Sequence, residues 1–171
     1  MNVDPQGSIF YADTYMTEKS SGKKAATTSG PRGITAKNVF KLHSRPGAAN
    51  TIFVDFDGGE ISGKAWNKQA GVSKLMAKPY DTDGKPKSFN DAEVSSMAEI
   101  WARITEDFAP FDVDVTTEDP GNYGQNVAWV LVTDSEPRGK QPLPSPAAGS
   151  TTYMNVFGFS HTAYFSPALI H

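Results

Sequence analysis

Between residues 88 and 111, "SFNDAEVSSMAEIWARITEDFAPF", apolar side chains recur at spacings of three and four. Val94, Met97, Trp101, Ile104 and Phe108, with Ile100 beside them, form one stripe of an α-helix, and that stripe predicts a core beneath it. Asn90 is placed to cap the first turn, Glu93 stands where a capping box takes a carboxylate, and Phe89 with Val94 makes a hydrophobic staple. Pro110 stops the helix, so its expected span is 91 to 108.

Other stretches follow a different period. Thr51 to Phe56 is almost unbroken apolar sequence and predicts a strand buried on both faces. After the helix, Phe111, Val113 and Val115 alternate with Asp112 and Asp114, the pattern of a strand buried on one face. A Gly/Asn/Pro turn leads to a second buried strand, Val127 to Thr133, and two strand-like segments follow, "TTYMNVFG" and "TAYFSPALIH". Strands joined in this way around one helix predict an α/β fold, a mixed twisted sheet with the long helix packed across it. Trp66, Trp101 and Trp129 are expected in its core.

Residues 1–48 read as an amino-terminal extension with a flexible linker, because "TEKSSGKKAATTSGPRG" is too polar to offset its ordering entropy; the packed body is expected from 49 to 171. The net charge is −3 and no basic block tracks phosphates, which disfavours nucleic acid as a partner. No apolar run is long enough for a membrane span, and no export signal is visible. With no cysteine, neither disulfides nor thiolate metal sites are available.

Three places could carry chemistry. "VDFDG" ends the first strand in two carboxylates, Asp55 and Asp57, which as a default brace the following turn through nearby backbone amides. The same pattern resembles haloacid-dehalogenase-type phosphatases, with Asp55 as nucleophile and Asp57 as general acid. Such an enzyme needs later carboxylates to hold magnesium, yet no Asp follows Asp134 and Glu136 is the one acid beyond it. Glu106, Asp107, Asp112, Asp114, Glu118 and Asp119 are a second place, read as a solvated acidic face, with calcium the cation that either carboxylate group would suit. The third, "DTDG" at 81 to 84, starts like an EF-hand but brings its glycine at the fourth position instead of the sixth.

A broader resemblance runs through "FKLHSRPGAANTIFVDFDGGEISGKAWN", "SFNDAEVSSMAEIWARITEDFAPFDVDVTTEDPG", "TTYMNVFGFS" and "YFSPALIH", most specifically through "IWARITEDFAPFDVDVTTEDP". Together they resemble the amino-terminal subdomain of secreted bacterial zinc metallopeptidases of metzincin type. The resemblance implies export, a peptide or protein substrate, and zinc held by an H-E-x-x-H-x-x-G-x-x-H motif. That motif is absent here. His43, His161 and His171 have neither its spacing nor its glutamate, so no catalytic residue and no metal ligand carries over, and the chain is expected to stop just short of the zinc helix and to be inactive alone. The resemblance further implies that substrate lies antiparallel along an edge strand, here around Asn155, Val156, Phe157 and Gly158. The phosphatase and a non-catalytic sheet domain that binds a partner remain the alternatives.

Overall fold

A computed structural model describes residues 2–3, 9–13, 31, 33–133, 150–153 and 162–165, with side chains from 31 to 133 except those of 65, 66 and 69, Trp66 among them. The strands are β1 (Asn2–Val3), β2 (Ile9–Asp13), β3 (Asn50–Asp55), β4 (Gly59–Ser62), β5 (Lys74–Ala77), β6 (Val113–Thr116), β7 (Val127–Val132), β8 (Ser150–Tyr153) and β9 (Thr162–Phe165). Two α-helices join them, α1 (Ala65–Ala70) and α2 (Asp91–Phe108). Seven strands make one sheet in the order β1-β2-β8-β9-β7-β3-β6, and β4 with β5 forms a separate hairpin. β3 is parallel to both its neighbours, β6 and β7, and β7 is parallel to β9; β8 runs antiparallel to β9 and to β2. The fold is mixed α/β.

The helix forms where its pattern placed it. The Asn90 side chain accepts from the Ala92 and Glu93 amides, and Glu93 returns the bond by accepting from the Asn90 amide at 2.9 Å. Val94, Met97, Ala98 and Ile100 are buried, and Trp101, Ile104 and Phe108 are half-buried against the same cluster. Trp101 thus lies at the rim of the packed face, where its indole N–H donates to the Val115 carbonyl at 2.8 Å. Full burial of a side chain such as Met97 stabilises the fold by about 1.5–3 kcal/mol.

Alternation along the central strands sends side chains to two cores. From β3, Ile52 and Val54 join α2, whereas Phe53 points to the other face and packs with Ile61, Leu75 and Ala77 of the β4–β5 hairpin. Burial on both faces of 51 to 56 agrees with the sequence. The hairpin and α1 carry no clear periodic signal and were not expected.

Two expectations change. β6 is buried at every position, Asp114 and Thr116 included, while Phe111 is 57% exposed and precedes the strand. Alternation failed because Asp114 is not a solvent-facing residue; it satisfies the segment that closes β6. Packing also reaches back before residue 49, since Val39 is fully buried in the α2-side core and β2 belongs to the sheet.

Candidate functional site

The first constellation sits at the carboxyl end of β3. The chain must leave the sheet sharply there, and Asp55 shapes the turn: Oδ1 accepts from the Asp57 and Gly58 amides, each at 3.0 Å. Oδ2 accepts from the indole N–H of Trp129 on β7 at 2.9 Å. Gly58 has φ +68, and a Cβ there would stand 2.6 Å from the Lys78 carbonyl group, so glycine alone fits. Asp55 is 3% exposed. Burial, then the hydrogen bond and charge of Asp57, push its carboxyl up to about 8 against the opposing bonds from Trp129 and Gly58.

Above this turn Tyr123 tilts against Trp129 with ring centroids 5.1 Å apart, and the Lys64 ammonium lies 5.4 Å and 5.9 Å from the two rings. Burial lowers the Lys64 value; burial and then the Asp119 bond raise that of the Tyr123 phenol. An open depression of about 470 Å³ borders Lys64, Asn67, Lys68 and Val72.

The second constellation closes β6. His43 lies between two carboxylates, Nδ1 at 2.6 Å from Asp114 and Nε2 at 2.9 Å from Glu118. Asp114 Oδ1 accepts from the Ser44 and Arg45 amides, both at 2.9 Å. Burial lowers the His43 value, but hydrogen bonds and charge from Glu118 and Asp114 outweigh it, so the net shift is upward. The acids expected to form one solvated face are therefore divided: Asp114 is buried, Asp112 accepts from the Ala49 amide, and Asp119 accepts from Gly121 and Tyr123. The histidine partner was legible only as a residue type; its mate lies some 70 positions away.

The third is the loop before α2. Asp81, Asp83 and Glu93 bring ligand atoms within 4.8 Å of one another, the one group with metal-binding geometry among the described residues. Their oxygens already accept: Asp81 Oδ1 from the Asp83, Gly84 and Lys85 amides, Glu93 Oε1 from the Thr82 amide and hydroxyl. An oxygen-only set suits a hard cation.

Catalytic zinc does not fit the described residues. It takes three protein ligands, with imidazole prominent among them. Both nitrogens of His43, the one histidine described, face carboxylates. His161, His171 and the expected substrate-facing residues Asn155, Val156, Phe157 and Gly158 lie outside the described residues, although β8 leads directly into that stretch. No protein-family model, curated protein or solved structure matches the chain.

Proposed function

We propose that residues 49–171 are the amino-terminal subdomain of an exported zinc endopeptidase whose zinc-binding helix is encoded outside this chain, so that the chain alone hydrolyses nothing. The observation that carries this reading is the position of β8. It is the antiparallel strand beside the parallel set β9, β7, β3 and β6, and it holds the "TTY" of the segment on which the resemblance places substrate. Further support comes from how the resembling segments meet. "FKLHS" and "FDVDVTTED" dock on each other through His43, Asp114 and Glu118, and "TIFVD" pairs in parallel with "VDVT".

The phosphatase reading has less behind it. A nucleophilic carboxylate needs an open oxygen in front of phosphorus, and Asp55 is instead engaged by the Asp57 and Gly58 amides, the Trp129 indole and the Asp57 side chain. The test is to read the coding frame past His171, express the longer chain and count zinc per molecule. An H-E-x-x-H motif, one zinc and chelator-sensitive peptide hydrolysis are the expected results. A frame that ends at His171, or a longer chain without zinc, overturns the proposal; phosphatase turnover with magnesium would favour Asp55 chemistry, and neither activity a partner-binding sheet.

A further inference from the structure

Two surface features on opposite sides of the sheet have complementary shape and charge. One is a knob at the end of α2. Phe111 is the most exposed large apolar side chain among the described residues. Its turn is held firmly: the Phe111 amide donates to the Phe108 carbonyl at 3.0 Å, and the Arg45 guanidinium donates to the Phe111 and Ala109 carbonyls at 2.8 Å and 3.2 Å. Glu106, Asp107 and Asp112, all exposed, flank it in the chain. The last turn of α2 carries no basic residue, although the negative carbonyl end of a helix favours cations, so helix stability does not account for acids at that end. The other feature is the open depression of about 470 Å³ beside α1. Val72 lines it, and Gly63 and Gly71 leave open space where a Cβ would stand. Lys64 and Lys68 border it, the Lys64 ammonium being held over the rings of Tyr123 and Trp129. Buried Asn67 fixes its wall by donating to the Ile61 and Ser73 carbonyls at 2.8 Å and 3.3 Å.

We infer that the Phe111 knob of one molecule seats in the Lys64–Lys68 depression of a second copy of this chain. The argument for that occupant is complementarity. An aromatic ring flanked by three carboxylates meets a hollow bordered by two ammonium groups, and the hollow has room for the ring. The two features cannot meet within one chain. Phe108, beside the knob, packs on the α2-side core, whereas Val72, beside the hollow, packs on the core of the other face. Both halves are fixed by hydrogen bonds before they meet, which lowers the ordering cost of association. Because different patches of the two copies touch, the contact is heterologous and each added copy presents a fresh knob or a fresh hollow, so the assembly grows instead of closing as a pair. None of this depends on the peptidase reading.

The test is sedimentation velocity of the intact chain from about 0.01 to 1 mM, a range suited to a small contact with one aromatic anchor. The average mass should rise with concentration and pass that of a dimer. Phe111→Ser should weaken association on the order of 30-fold, and Lys68→Glu about tenfold. Both positions are exposed, so the folded chain tolerates either change. The deciding measurement mixes the two variants. Phe111→Ser keeps the depression and Lys68→Glu keeps the knob, so at a concentration where each is monomeric alone an equimolar mixture should form dimers and nothing larger. A parent chain that stays monomeric throughout, variants that associate as the parent does, or a mixture no heavier than its components overturns the inference. A monomeric parent that nevertheless captures a labelled peptide of residues 105–113, TEDFAPFDV, also overturns it and assigns the depression to a separate partner with an acid-flanked aromatic side chain.

Discussion

The β6 flank of the large sheet and the turn that ends β3 are each organised by a buried aspartate, in different ways. An open strand presents unpaired N–H and C=O groups that invite another chain, so the β6 flank must be covered. At β6 the cover is residues 42–45. Ser44 donates its amide to the Val115 carbonyl and its hydroxyl accepts from the Val115 amide; Thr117 bonds the Leu42 carbonyl; and Asp114 gathers His43, Ser44 and Arg45. At the end of β3, Asp55 accepts from the Asp57 and Gly58 amides and from the Trp129 indole. Asp114 joins segments some 70 positions apart, whereas two of these three bonds to Asp55 stay within one turn.

The largest expected effect lies at the turn that ends β3. The Asp55 carboxyl binds its proton more tightly in the folded state, where its value rises from 3.8 to about 8. The stability this contributes is full below about pH 4 and is lost as pH rises through about 8, a decline on the order of 3–5 kcal/mol. Urea unfolding between pH 5 and pH 9 should show that decline in the parent, and Asp55→Asn should flatten it. A parent that is as stable at pH 9 as at pH 5 would mean that Asp55 is ionised in the turn.

Asp114→Ala should break the seal. It leaves the Ser44 and Arg45 amides without their acceptor and His43 with one carboxylate instead of two, at a cost of about 3 kcal/mol in the urea midpoint. A cost near zero would mean that Asp114 does not hold the β6 flank closed. Ser44→Ala removes the acceptor of the Val115 amide inside the same seam and should cost about 1–2 kcal/mol.

His43→Gln sharpens the picture by pH. The folded imidazole is raised, so its contribution is full below about pH 6.5 and is lost as pH rises through the folded value. The substitution should cost about 1 kcal/mol at pH 6 and less at pH 9, since the ring is partly exposed. Equal costs at both values would assign the residue a packing role alone.

How much of this was legible beforehand depends on the range over which each feature is determined. Helix α2 was readable in full because its stripe, cap and stop are local, all within residues 89–110. The strands β3 and β7 were readable because burial on both faces leaves an unbroken apolar run. Hairpin β4–β5 was missed: its strands are four residues each and alternate only weakly, and tertiary contact with Phe53 and Trp129 supplies what propensity does not. The turn-bracing role of Asp55 was visible from its spacing to Gly58, but its bond to Trp129 was not, because that partner is 74 positions away. The clamp on His43 was invisible for the same reason, and without it Asp114 read as solvent-facing.

The parallel pairing of β3 also governs how the protein is made. Both neighbours of this central strand come later in the chain, at Val113–Thr116 and Val127–Val132. With synthesis at roughly 5–20 residues per second, Ile52, Phe53 and Val54 emerge several seconds before either partner exists. During that interval the nascent chain displays an unpaired apolar strand. Chaperones that hold exposed apolar segments are therefore expected to engage it there, and slowing translation between Asp55 and Val113 should raise the fraction that aggregates.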